Sequence, residues 1–249
     1  VFLLNGNKKN SLVVFFLYYS YLYLPSFNII RQSISISLFL FSCICLQNNQ
    51  KIRGFIFVII SLLFHNSAFL YIPLYFFMCY IPISKKLTIF IAICIIILCF
   101  SLNVINIIMR FSFLQKLGFE HYLMLERYNH NAKLNSGLGV LLNFIYTFIL
   151  YFCCDENKSS KIEFRSTSWL FIAIILANSL YIQISIFYRV YVMMFVSYII
   201  MFKIAFKKTN NGYIKVFRLF CLFYVIIFVF LIGLCNNQNG VVPYNTCFN

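Results

Sequence analysis

The chain has 249 residues, of which 63% are hydrophobic, 20% aromatic and only 10% charged, with a net charge of +15. Its mean hydropathy of +0.90 excludes an ordinary soluble domain, where apolar residues make up about half of the chain. The basic residues lie between apolar runs and form no continuous patch, so the charge reads as membrane topology rather than nucleic-acid binding.

In chain order the apolar runs are Ser11–Leu24, Ile29–Leu46, Gly54–Phe64, Ser67–Ile83, Leu87–Ile108, Gly137–Cys154, Ser168–Phe187, Val190–Phe206 and Leu219–Leu234. Most are long enough, at roughly 17 or more residues, to span a hydrocarbon core as helices. The pattern predicts an all-α, polytopic bundle of about nine spans forming a single transmembrane domain over 1–249. The chain opens at Val1 without a methionine, which reads as a fragment lacking earlier spans.

Nine spans place the start inside and the end outside. Lys8, Lys9, Lys51, Arg53, Lys85, Lys86, Lys158, Lys161, Arg165, Lys203, Lys207, Lys208, Lys215 and Arg218 then face the cytoplasm, fourteen of the twenty cations. The remaining six are Arg31, Arg110, Lys116, Arg127, Lys133 and Arg189, and the three histidines share their side. That asymmetry is the one that orients membrane proteins. Residues 54–83 give only about 15 residues per crossing if they cross twice, below the usual minimum of about 17. One crossing would reverse the cation asymmetry downstream. Two short spans or a re-entrant pair are therefore expected, with His65 and Asn66 at the turn and a wet cavity around His65.

The one substantial external loop is expected at 109–136. Within it Phe119–Tyr128 has roughly helical apolar spacing, suited to a surface helix or to a plain connector. Asp155–Arg165 and Lys207–Arg218 read as polar cytoplasmic links. Eight of the ten cysteines lie in apolar runs, where thiols act as small hydrophobes, and none has metal-ligand spacing with histidine. Only Cys235 and Cys247, in the tail, are placed to bridge outside the membrane. No Walker loop, dinucleotide glycine pattern or nucleophile elbow is present.

Lone polar residues do stand out in apolar surroundings: Asn28-Ile-Ile-Arg31-Gln32, Phe64-His65-Asn66-Ser67-Ala68 and Phe187-Tyr188-Arg189-Val190-Tyr191. Together NIIRQSISISLFLF, FIFVIISLLFHNSAFLYIPLYFF, the loop ending NSGLG, IFYRVYVMMF and a terminal VVPYN resemble, in order and spacing, the EpsG family of bacterial exopolysaccharide polymerases, a Wzy-like branch. The resemblance implies transfer of a growing glycan from its polyprenyl diphosphate to a hydroxyl of the next lipid-linked repeat unit. It places that reaction on the outer face of the bacterial inner membrane. It implies no cofactor and no metal. The implied partners are the polyprenyl-diphosphate-linked oligosaccharide, membrane lipids, and chain-length regulator and flippase proteins.

The residue chemistry agrees with such a transfer, which needs a base at the acceptor hydroxyl and positive charge at the leaving diphosphate. Arg31, Arg110, Arg127 and Arg189 are the candidate phosphate ligands, since guanidinium is permanently charged and forked. His65 and Glu126 are the candidate bases. Tyr128 and Tyr188 are candidate sugar platforms, although aromatic belts place tyrosine at interfaces anyway. Arg31 has a plain alternative as a snorkelling anchor, Arg110 as the end of its helix, and Arg127 as a helix-surface partner of Glu120 and Glu126. A flippase or another multi-pass transporter is the competing function, and a ligase would use nearly the same chemistry.

Overall fold

The computed structural model describes residues 15–23, 29–101, 138–183, 187–206 and 212–231, and no strand occurs among them. Nine α-helices follow in order: α1 (Ile30–Gln47), α2 (Lys51–Phe64), α3 (Tyr71–Tyr80), α4 (Lys85–Ser101), α5 (Leu138–Phe152), α6 (Lys161–Gln183), α7 (Tyr188–Met193), α8 (Val196–Ala205) and α9 (Gly212–Tyr224). Wider π turns occupy Tyr19–Tyr23 and Val225–Leu231 and touch each other. Four stretches are long and apolar enough to cross a membrane: Ile30–Gln47, Lys161–Gln183, Tyr188–Ala205 and Gly212–Phe230. The last has a mean hydropathy of 2.2 yet is only 17% buried by protein, so its apolar surface faces outward, as lipid contact requires. A helix lies in each of the nine expected runs, four stretches among the described residues are long enough to cross a membrane, and the external loop 109–136 lies outside the described residues.

The central element is α6, which packs against α1, α3, α4, α5, α7 and α8. It starts where a capping box forms: Ser160 N donates to Glu163 Oε2 (2.9 Å) and Glu163 N donates to Ser160 Oγ (3.2 Å). Its first turns carry buried hydroxyls that a bundle centre does not tolerate unpaired. Ser166, Thr167 and Ser168 return them to the carbonyls of Glu163 and Phe164 at 2.8–3.0 Å. The helix thus begins seven residues before the apolar run at Ser168. In the same way α9 begins at Gly212, inside the segment 207–218 that hydropathy reads as a link. Apolarity marks where the bilayer begins, whereas caps mark where the helix begins.

Between α1 and α2 the chain reverses through Asn49, whose φ of 62° is the left-handed conformation that asparagine tolerates. A second reversal follows at His65. It ends α2 with extended backbone (φ −155°, ψ 124°) and caps the 3-10 turn Asn66–Leu70 that leads into α3. Tyr75 of α3 then donates to Lys51 O at the start of α2 (2.7 Å), so the two helices form a hairpin with His65 at its apex. The expected turn at His65 and Asn66 is where the structure places it. Close approach at the hairpin base depends on Gly54, because a Cβ there would collide with the Tyr75 hydroxyl.

Two ends of the bundle are defined by pairs of contacts. Gln32 of α1 reaches Arg189 of α7 at one end, and Gln47 of α1 meets Lys203 of α8 at the other. The 18 residues of α1 make the helix about 27 Å long, close to a hydrocarbon core, and set the two contacts about 22 Å apart along it.

Candidate functional site

Three of the expected site residues converge at the first of these ends. The start of α1, the end of α2 and the start of α7 surround an open cavity of about 770 Å³. Arg31 and Gln32 line it from α1, His65 and Asn66 from the hairpin apex, and Arg189 from α7, with Ile29, Ile30, Leu63 and Phe64 as apolar walls. Both arginines are exposed and His65 is half-buried. Among the described residues no carboxylate lines the cavity. Arg31 and Arg189 are 158 positions apart in sequence, so their common cavity is a product of the fold.

The position of Arg189 is set by three other helices. Gln32, only 2% exposed, donates from Nε2 to the Arg189 carbonyl at 2.6 Å. Tyr71 of α3 donates to Met193 O (3.2 Å) while its ring stacks on Phe39 of α1 at 3.8 Å between centroids. Asn143 of α5 donates to the Tyr191 hydroxyl (2.8 Å) and to Asn178 Oδ1 of α6 (3.3 Å). With little water to compete, such side-chain bonds fix helix register in a bilayer. They hold α7 by its backbone and by Tyr191, and they leave the Arg189 guanidinium facing the cavity.

Arg31 stands on the first turn of α1, whose N-cap residue Ile29 offers no side-chain acceptor to the first N–H groups. A helix start without a side-chain cap among the described residues carries partial positive charge. It lies in the same cavity as two guanidiniums. Such an assembly has one obvious complement, an anion with several oxygens, and phosphate geometry suits the guanidinium fork. Across the cavity, His65 Nδ1 accepts the backbone N–H of Ser67 at 3.2 Å and also meets the Ser67 hydroxyl, which lies 3.0 Å from Met193 Sδ. Burial, and then the Arg189 charge, lower the His65 pKa from its ordinary value of 6.5. The ring is therefore neutral near pH 7.

Tyr188 is not among the residues lining the cavity. Its ring packs against Tyr181 of α6 at 5.3 Å, and Tyr181 stacks on Tyr191. Arg110, Glu126, Arg127 and Tyr128 lie outside the described residues. No three His, Cys, Asp or Glu side chains converge on a metal-sized site among the described residues. Two contributors went unassigned in the sequence. Gln32 shows no sign there of a partner 157 positions away, and Ser67 was visible only as part of a polar cluster.

Comparison with known proteins gives one finding: the model of the EpsG family matches residues 1–246. No curated protein and no solved structure matches the chain.

Proposed function

The chain belongs to the EpsG family, and from that premise we propose that it is a membrane polymerase of lipid-linked oligosaccharides. Family membership and the long apolar helices already make it an integral membrane protein of polysaccharide biosynthesis. Beyond this, the substrate is a polyprenyl-diphosphate-linked repeat unit, its diphosphate held by Arg31 and Arg189. The cavity faces outward from the bacterial inner membrane. The observation that carries the reading is the convergence of Arg31, His65 and Arg189 on one cavity, which no carboxylate lines among the described residues.

The reaction needs no activating group beyond the substrate. A sugar diphosphate leaves readily once its developing charge is compensated, and preorganised donors do this at little reorganisation cost. The open first turn of α1 adds to the two guanidiniums. Arg110 and Arg127 are further phosphate ligands in this reading, His65 or Glu126 is the base, and Tyr128, with Tyr188 beyond the cavity lining, contacts sugar. A transporter would place charge along a path between the two ends. None of the buried polar side chains among the described residues is charged, which favours chemistry at one end.

The test is the glycan made by cells. Deleting the gene should leave single repeat units on lipid on the outer face. Arg31→Lys and Arg189→Lys should each reduce chain extension by about 10²-fold at equal protein abundance, because charge is kept and the fork is lost. Repeat units stranded on the cytoplasmic side would identify a flippase. Full extension by both lysine variants would reduce the arginines to anchors.

A further inference from the structure

We infer that His65 acts through its Nε2–H as a neutral hydrogen-bond donor to the diphosphate leaving group, and that another residue deprotonates the acceptor hydroxyl. The inference rests on the polymerase reading of the cavity and assigns one residue a role within it. It begins with the cap of the 3-10 turn. Each imidazole nitrogen has one in-plane position, filled by a proton or by a lone pair. At Nδ1 that position receives the backbone N–H of Ser67, a group that donates and cannot accept. Nδ1 therefore holds a lone pair, and the single proton of the neutral ring is on Nε2. The Ser67 hydroxyl also meets this nitrogen, but its own proton is directed to Met193 Sδ at 3.0 Å, so the assignment rests on the backbone N–H.

A base would need the opposite arrangement. Taking a proton from a hydroxyl requires a free lone pair on the nitrogen that faces the substrate, and the only lone pair on this ring is committed to the turn. Full protonation would place a proton on Nδ1 against the Ser67 N–H and undo the cap. The surroundings oppose it as well: Arg189 and Arg31 face the same cavity, and no carboxylate among the described residues lines it. The ring is left as an uncharged N–H donor at the apex of a short hairpin, opposite two cations.

The step balances without His65 exchanging a proton. The bond between the anomeric carbon and the diphosphate oxygen breaks, and its electron pair goes to that oxygen. The acceptor hydroxyl oxygen bonds to the carbon and gives its proton to a carboxylate, for which Glu126 is the sequence's candidate. Nε2–H strengthens its bond to the leaving oxygen as charge develops there. Losing such a donor costs about 10²–10³ in rate.

Two measurements decide it. In the full chain, purified in nanodiscs with ¹⁵N-histidine and assigned by comparison with His65→Gln, the His65 resonances at pH 7.5 should show a protonated Nε2 and an unprotonated Nδ1. Adding farnesyl diphosphate as the probe should shift the Nε2 resonance. The second measurement is glycan chain extension in cells carrying substitutions at position 65. Gln carries an N–H close to the position of Nε2 and should keep activity within about tenfold. Asn reproduces the Nδ1 acceptor and the cap without that reach, and should lose about 10²-fold at normal abundance. A proton on Nδ1, or a Gln variant as inactive as the Asn variant, overturns the donor role. If the tautomer is as stated but farnesyl diphosphate binds nowhere near Arg31 and Arg189, the diphosphate reading fails and the ring assignment survives.

Discussion

The two ends of the bundle use the same kinds of side chain in opposite ways. At the end marked by Lys85, Arg165 and Lys203, cations are bound to the protein itself. Lys85 donates to the carbonyls of Phe152 and Cys154 beyond and at the end of α5 (3.1 and 2.8 Å). Arg165 donates to Met78 O in the last turn of α3 (2.7 Å). Lys203 meets Gln47 Oε1 (2.7 Å) and lies 3.9 Å from Glu163. Lys85 and Arg165 stand in the first turns of their own helices, but their charged groups reach the C-terminal carbonyls of neighbouring ones. Lys203 lies in the last turn of α8. At such helix ends the macrodipole favours positive charge. At the other end Arg31 and Arg189 lie beside the starts of helices, where the dipole disfavours them, and share a cavity with no carboxylate among the described residues. Cations used for stability are placed where the fold rewards them. In the proposed reading, the two cavity arginines are kept for a ligand that the fold does not itself contain.

That contrast can be broken by experiment, and the largest effect is expected at the cavity. Replacing both Arg31 and Arg189 by methionine should abolish chain extension, a loss of about 10³-fold or more, while leaving thermal stability in detergent unchanged or raised. Loss of stability with loss of function would make the two ends alike. Lys203→Met should give the reverse signature. Its side chain is 11% exposed and its partner Glu163 15%, so removal leaves a poorly solvated carboxylate at a cost of about 2–3 kcal/mol. Activity per folded molecule should be retained, and thermal unfolding alongside a specific-activity assay would show it.

Gln32→Leu comes next. It removes the tether on the Arg189 carbonyl, so we expect about tenfold slower extension, worth about 1.4 kcal/mol. Joint measurement with Arg189→Met sharpens the point: if Gln32 acts only by positioning Arg189, the double variant is no worse than Arg189→Met alone. Smallest is Lys85→Met, expected to lower stability by about 0.5–1 kcal/mol with no change in activity. A functional defect there would place chemistry at the end assigned to structure.

Much of this division was legible in the sequence, because membranes make charge conspicuous. Arg31, His65 and Arg189 were each a lone polar residue in an apolar run, and the shortness of the runs on either side of His65 announced the hairpin. Helix starts were less legible. The capping pair Ser160 and Glu163 extends α6 well before its apolar run, and the amphipathic first turns of α9 resemble a linker to a hydropathy count. Long-range tethers were illegible. Gln32 bonds a main-chain oxygen, and any residue at position 189 would supply one, so no side-chain pattern records the contact. The proton position on His65 likewise depends on a backbone N–H, visible only once the turn is built.

The way Gln32 grips Arg189 also bears on turnover. A polymerase adds units repeatedly, so the spent carrier must depart after every addition. Had Arg189 been positioned through its guanidinium by a carboxylate, each cycle would exchange one ion pair for another, and the protein's own acid would compete with incoming substrate. The tether instead holds the carbonyl, and no described residue bonds the guanidinium, whose five N–H donors are left for the proposed ligand and for water. If Arg189 holds the diphosphate as proposed, release of the spent carrier asks for rehydration of an arginine lining an open cavity, with no acid among the described cavity residues to displace.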